Sequence, residues 1–147
     1  MSAITRQFIS FTIGEEEYGV DIIAIREIKG WSPTTHLPET PGYMRGVMDL
    51  RGAIIPVIDL RARFGGGLTE PSSRHVVMVV AVEGRDIGIL VDAVADIITV
   101  QQSDIQPIPE LEHAHRAELL AGIVAVDGRM VALLDLERLI TAHTEAA

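Results

Sequence analysis

The feature that most constrains this chain is an internal duplication. Residues 11–28 align with residues 80–97 at an offset of 69: Gly19 falls on Gly88, Ala24 on Ala93 and Glu27 on Asp96, and the apolar positions mostly coincide. Residues 46–60 align with residues 122–136 at an offset of 76: Gly46 falls on Gly122, Gly52 on Gly128, and Asp59-Leu60 on Asp135-Leu136. Both matches occur in the same order, so the chain reads as two copies of one unit, with the middle connection of the second copy 7 residues longer. A unit of about 60 residues is marginal alone. The copies are therefore expected to pack on each other and leave a groove at the seam.

Each copy reads as short strands. Ile9, Phe11 and Ile13 alternate with Ser10 and Thr12, the period of a half-buried strand. Residues 76–82 form one unbroken apolar run. Asp127-Gly128 between two apolar runs is a strong hairpin signal, and Arg51-Gly52 occupies the same turn in the first copy. Pro56 inside a strand pattern marks an edge or a bulge, because it cannot donate to the ladder. Residues 20–28 read as a strand broken near Asp21 to Ala24. Asp59 and Asp135 stand where helical N-caps are wanted. The first helical turn stops at Gly65-Gly66-Gly67, a flexible joint between the copies; the second continues as a short C-terminal helix over 135–144. Together these signals predict a mainly β protein of two small tandem barrels with about five strands each.

Composition narrows the function. The 147 residues include 0 Cys, which excludes a disulfide scaffold, a Cys-based zinc site and a thiol nucleophile. Acidic residues outnumber basic ones 21 to 12, for a net charge of −9, a poor match to nucleic acid or anionic lipid. Ile and Val number 32, consistent with strands around an aliphatic core. The longest apolar run is far below the about 20 residues that span a bilayer, and the N-terminus has no apolar signal-like stretch.

Enzyme motifs are missing from the sequence: there is no Gly-x-Ser-x-Gly and no P-loop. His113 and His115, among Glu110, Glu112 and Glu118, are conceivable zinc ligands but read better as a solvated loop without metal. Asp92 with Asp96 is a weak acid–base pair, since the other copy has Ile23 and Glu27 there. Glu15-Glu16-Glu17 reads as a solvated hairpin tip. Arg51 occupies a turn position that favours Asn, Asp or Gly, so it is either an ordinary exposed Arg or one presented to a carboxylate partner. Ile25 and Ile28, flanking Glu27, are either core or the apolar floor of a docking groove.

Residues 11–22, 26–30 and 46–61 resemble the CheW-like domain family of chemotaxis coupling proteins. The likeness spans about residues 8–139, and its most specific part runs from Leu50-Arg51-Gly52 to Pro56-Val57-Ile58-Asp59-Leu60-Arg61. The resemblance implies a non-enzymatic adaptor without cofactor or metal, built from two SH3-like barrels, here 8–67 and 74–134. Such an adaptor couples the cytoplasmic tips of methyl-accepting chemoreceptors to the regulatory domain of the histidine kinase CheA. By matching positions, receptor binding falls to Ile25, Glu27, Ile28 and Arg51, and the kinase- or ring-facing surface to Val76 and Leu111. The resemblance implies a cytoplasmic protein recruited to receptor arrays at the inner face of the membrane, with no membrane insertion and no nucleic acid. Met1 opens the domain and Ala147 closes it, as expected of a free coupling protein. The alternatives are a small-ligand-binding barrel module or a CheW-like fragment of a larger signalling protein. Two departures from the family pattern stand out. Asp49 is expected either to pair with Arg51 or to repel a receptor carboxylate, and Trp31 is expected to be exposed after the groove strand.

Overall fold

The computed structural model describes residues 4–109 and 116–145. Its strands are β1 (Thr5–Ile13), β2 (Glu16–Asp21), β3 (Ile25–Gly30), β4 (Met44–Leu50), β5 (Ala53–Asp59), β6 (Val76–Val82), β7 (Arg85–Val91), β8 (Ala93–Gln101), β9 (Leu120–Val126) and β10 (Arg129–Leu134); two helices, α1 (Leu60–Arg63) and α2 (Leu136–Glu145), follow β5 and β10. Both helices begin as expected: Asp59 accepts from the Ala62 N–H at 3.2 Å and Asp135 from the Arg138 N–H at 3.0 Å. The break expected near Asp21 is a single 3₁₀ turn, Ile22–Ala24, capped by Asp21.

The strands form two five-stranded sheets, ordered β8-β1-β2-β10-β9 and β3-β6-β7-β5-β4. This corrects the expected boundaries 8–67 and 74–134. Each sheet combines the first two strands of one copy with the last three strands of the other. The physical reason is local. A two-stranded hairpin such as β1–β2 cannot bury its faces alone, and the capped turn at Ile22–Ala24 sends the chain out of the first sheet. The open side of β2 is then filled by β10, in parallel, and that of β7 by β5, also in parallel.

The exchange keeps register to the residue. Leu133 opposite Gly19 in one sheet corresponds, by the two offsets, to Val57 opposite Gly88 in the other. Four β-bulges recur the same way: Arg26 in β3 matches Ala95 in β8, and Arg45 in β4 matches Ala121 in β9. Each sheet closes through one bridge from the segment after its first edge strand, Thr35 to Val47 and Gln106 to Ile123. The Arg51-Gly52 and Asp127-Gly128 turns are equivalent, and both residues of each have positive φ. Pro56 lies where β5 pairs with β4 but not yet with β7, whose pairing starts at Val57, so its missing N–H interrupts no ladder.

Among the described residues, three clusters fill the interior. Met48, Ile55, Val57, Val77, Val79 and Leu90 fill the second barrel; Phe8, Ile98, Val100, Val124, Val131 and Leu133 fill the first. The largest lies between the sheets and includes Phe11, Tyr18, Val20, Leu60, Phe64, Met78, Ile89 and Leu139. Strand β1 is therefore covered on both faces, not one: Ser10 is fully buried, and its hydroxyl bonds the backbone of Asp96. At about 1.5–3 kcal/mol for each large apolar side chain, this shared cluster is the main force holding the sheets together. Asp92 adds a polar staple at the seam, accepting from the Gly14 N–H at 2.7 Å and from Arg61 at 2.8 Å.

Candidate functional site: an ion pair at the mouth of the second barrel

Arg51 sits on the β4–β5 turn with φ 53°, a left-handed conformation that only a turn of this hand requires. Its guanidinium reaches back to β3 and pairs with Glu27 at 2.7 Å. Strands β3 and β4 are opposite edges of this sheet, so the pair spans the line along which the barrel closes. The Arg51 side chain is 77% exposed and that of Glu27 only 23%, so the carboxylate is seated and the guanidinium is presented. Among the described ion pairs, Arg51 is held by Glu27 and not by Asp49. Asp49 accepts from the Gly52 N–H at 2.8 Å and so caps the turn, because the tight turn brings that N–H closer than the arginine head.

Of the other residues read from the sequence, Ile28 is 40% exposed, whereas Ile25 is half-buried against the cluster between the sheets. Val76 opens β6 and is likewise half-buried against that cluster. Leu111, His113 and His115 lie outside the described residues. Trp31 is not exposed as expected: it is half-buried against the second barrel's core, with the Arg45 guanidinium 5.6 Å from its ring centroid. A bulge turns Arg45 inward, and the flat indole gives its cation a face to lie on. Asp92 and Asp96 do not act as a pair. Asp92 holds the seam, and Asp96 accepts from the Ile97 N–H at 2.8 Å.

Sequence reasoning passed over Arg26. It is the extra residue of the β3 bulge, points outward, and lies 3.6 Å from Asp86. The signal was available, because the matching bulge carries Ala95: the fold accepts alanine there, so an arginine is decoration. The same logic separates Arg51 from Asp127 and Glu27 from Asp96. In the second copy the corresponding positions are both acidic, and the nearby Arg129 instead holds Glu17 through two bonds of 2.8 and 3.2 Å. These bonds and the neighbouring carboxylates raise the Arg129 pKa above its ordinary value.

The described residues thus form two small β barrels that share a core, with an exposed ion pair at one rim. Comparison with known proteins then gives the family. Residues 7–144 match the CheW-like domain, and the chain belongs to that family. It is 46% identical over 143 residues to the probable chemotaxis protein CheW of Rhizobium etli, covering 97% of this chain and 92% of the relative. It is 37% identical to the chemotaxis protein CheW of Klebsiella aerogenes, over 97% and 86% of the two chains. Among solved structures it resembles the scaffolding protein TtCheW of Thermoanaerobacter tengcongensis, with a TM-score of 0.85, 34% identity and 92% of each chain covered. The fold is that of two packed SH3-like barrels, and the family is one of chemotaxis scaffolds.

Proposed function

We propose that this chain is a non-enzymatic adaptor that couples the cytoplasmic tips of chemoreceptors to the histidine kinase CheA in signalling arrays. The observation that carries the reading is the Glu27–Arg51 pair. It is exposed, spans the closure of a barrel, and occupies positions where the other copy folds with two acids instead. A guanidinium fixed in this way can exchange one carboxylate for another, or share two, without reorganising the turn. Ile28, 40% exposed, and the half-buried Ile25 lie on the other face of β3 from Glu27 and are the proposed apolar contacts for a helical receptor tip. Val76 and Leu111 are the proposed kinase side, since an adaptor must hold both partners at once. No helix among the described residues is long and apolar enough to cross a membrane. The adaptor would work on the cytoplasmic side, recruited by the receptors.

The test is Arg51→Ala, with receptor capture, kinase capture and thermal melting measured together. An exposed ion pair contributes at most about 1 kcal/mol to folding, so melting should hardly move. Losing a charge-assisted contact at a partly desolvated site should weaken receptor binding about 10-fold or more. Kinase capture should persist. Unchanged receptor binding sinks the assignment, and a fall of many degrees in melting temperature would make Arg51 structural.

A further inference from the structure

The edge strands of the second barrel, β3 and β4, share no ladder, and the backbone bridge from Thr35 to Val47 joins that edge to β4 only beyond the end of β3. The pairings around the sheet make β3 and β4 run in opposite directions, so the start of one faces the end of the other. Side chains cross this gap at both ends. At the mouth, Arg51 reaches Glu27 at 2.7 Å. At the far end, the Arg45 guanidinium lies over Trp31, 5.6 Å from the ring centroid.

Glu27 and Trp31 belong to one row of side chains. Glu27 lies opposite Val79 and Lys29 opposite Val77, both residues of the second barrel's core, and the row continues to Trp31, whose N–H donates to the His75 carbonyl at 3.1 Å. Residues directly opposite across a ladder share a face, so this row turns toward the barrel interior. At about 3.3 Å per residue, Trp31 lies about 13 Å along the strand from Glu27. It packs against the barrel's core. Arg45 is fixed in turn, because Asp59 accepts from its Nε at 3.1 Å and the Thr69 carbonyl accepts from its Nη2. The first barrel closes the same gap, between β8 and β9, with neither pair. By the offsets of 69 and 76, Trp31 becomes Val100, Arg45 becomes Ala121, Glu27 becomes Asp96 and Arg51 becomes Asp127. Val100 is simply buried in that barrel's core. The backbone therefore needs neither an indole nor a cation at the far end, and the barrel that lacks the stack also lacks the ion pair.

We propose that Trp31, with Arg45 laid on it, is a positioning residue for the docking site: the stack sets the width of the β3–β4 gap, and that width keeps the Glu27 carboxylate within reach of Arg51. The partner meets Glu27 and Arg51; Trp31 acts through them. A partly desolvated cation on an indole face is a stronger tie than an exposed one, and the Arg45 side chain is only 17% exposed. Because the gap is fixed from its far end, the exposed Arg51 guanidinium is already ordered before docking, and less conformational freedom is lost when the partner binds. The assignment deepens the docking role proposed for the Glu27–Arg51 pair and rests on it.

NMR of the purified full-length chain, labelled at arginine, tests this first without any partner. The Arg51 Nε–H signal is assigned by its loss in Arg51→Ala, and Glu27→Gln gives its position once the pair is broken. Trp31→Val, which installs the first barrel's residue, should move the signal most of the way to the Glu27→Gln position. Trp31→Phe, which keeps a ring for Arg45, should leave it in place. Capture of a chemoreceptor tip should weaken about 5-fold in Trp31→Val and stay within about 2-fold of wild type in Trp31→Phe. In the Arg51→Ala background Trp31→Val should add no further loss, the non-additivity expected of residues that act as one unit. Melting temperatures establish that each variant is folded at the assay temperature, and Trp31→Leu, which refills more of the space, takes over if Trp31→Val is not. An Arg51 signal that stays in place in Trp31→Val, a Trp31→Phe variant no better than Trp31→Val, or losses of receptor capture that simply add overturns the proposal. Receptor capture that ignores Arg51→Ala refutes the docking reading instead, and the Arg51 signal still decides whether Trp31 holds the pair.

Discussion

Asp59 gathers four hydrogen bonds on one buried carboxylate, and replacing it should be costly in a way the duplication lets us isolate. The residue is fully buried. Its carboxylate accepts from the Thr69 N–H at 2.8 Å, the Thr69 hydroxyl at 2.9 Å, the Arg45 Nε at 3.1 Å and the Ala62 N–H at 3.2 Å. It thereby joins β4, the start of α1 and the segment that connects the two copies, with Arg45 also donating to the Thr69 carbonyl. Asp135 is its counterpart in the second copy, but that residue is partly exposed and does little beyond capping α2. Asp135→Ala should therefore cost about 1 kcal/mol, the usual value of a lost N-cap. Asp59→Ala loses the cap and also strands the Arg45 guanidinium, which is only 17% exposed. Breaking a buried pair from one side costs about 3–5 kcal/mol, so about 4 kcal/mol in all is a fair expectation, or a fall of roughly 8–16 °C in melting temperature for a chain of this size.

A second variant sharpens the test. The bulge position of Arg45 is Ala121 in the other sheet, so alanine is compatible with the backbone there. Arg45→Ala/Asp59→Ala removes both charges together and should recover at least about 1 kcal/mol relative to Asp59→Ala alone. Thermal melts and urea titrations of wild type and the three variants supply the numbers. If Asp59→Ala costs no more than Asp135→Ala, or if the double variant is worse than the single, the stranded-charge reasoning is wrong.

Gly46 has φ +127°, and a Cβ there would lie 2.1 Å from the Thr35 carbonyl oxygen; Gly46→Ala should cost more than about 2 kcal/mol by urea titration, and a near-wild-type midpoint would refute this. Asp49→Ala should lose about 1 kcal/mol from the uncapped turn while the Glu27–Arg51 pair and receptor capture persist; a receptor defect without a stability change would show that Asp49 acts on the partner instead. Burial holds the Tyr43 phenol above its ordinary value of 10.0, with Arg63 pulling the other way. The folded state thus keeps that proton more tightly, and its contribution is intact below pH 10 and lost as pH rises beyond. Tyr43→Phe should flatten the alkaline fall in stability, and an unchanged pH profile would remove burial as the cause.

Much of this was legible from residues alone, for identifiable reasons. Alternation marked β1, the unbroken apolar run marked β6, and the turn chemistry of Asp127-Gly128 marked the β9–β10 hairpin, because local sterics and burial fix these features. The two helix caps and the break after Asp21 are local as well. What could not be read was which strand sits beside which. Periodicity tells which face of a strand is buried, not what lies along its edge, and the parallel pairs β2–β10 and β5–β7 join residues far apart in sequence. The barrel boundaries were misplaced for that reason, and so was the environment of Ser10. In the candidate site, Glu27 and Arg51 were both visible as residues, but their pairing depends on β3 and β4 being the two edges of one closing sheet. Trp31 was misread because the Arg45 bulge claims it, and the pairing with Arg51 offered for Asp49 fails because the Gly52 N–H claims its carboxylate.

The exchange of strands explains why the copies differ where they do. Because each sheet is built from both copies, a core position in one cannot drift without its partner strands, which belong to the other, adjusting too. Gly19 and Gly88 illustrate the constraint: a Cβ on Gly19 would lie 3.1 Å from Leu133 Cδ2 of the other copy, and one on Gly88 would lie 2.9 Å from Val77 Cγ1 of its own copy and 3.3 Å from Val57 Cγ2 of the other. Turn tips, bulges and hairpin rims carry no such tie. Divergence has collected there: Arg51 against Asp127, Arg26 against Ala95, Arg85 against Glu16. A difference between the copies at an exposed, equivalent position is thus a chemical choice the backbone did not impose. The acidic net charge sharpens the point. On a chain with 21 acidic residues, the arginines at these three positions, Arg26 and Arg51 from the first copy and Arg85 from the second, gather on the second sheet, around the groove lined by Ile54 and the mouth of the barrel.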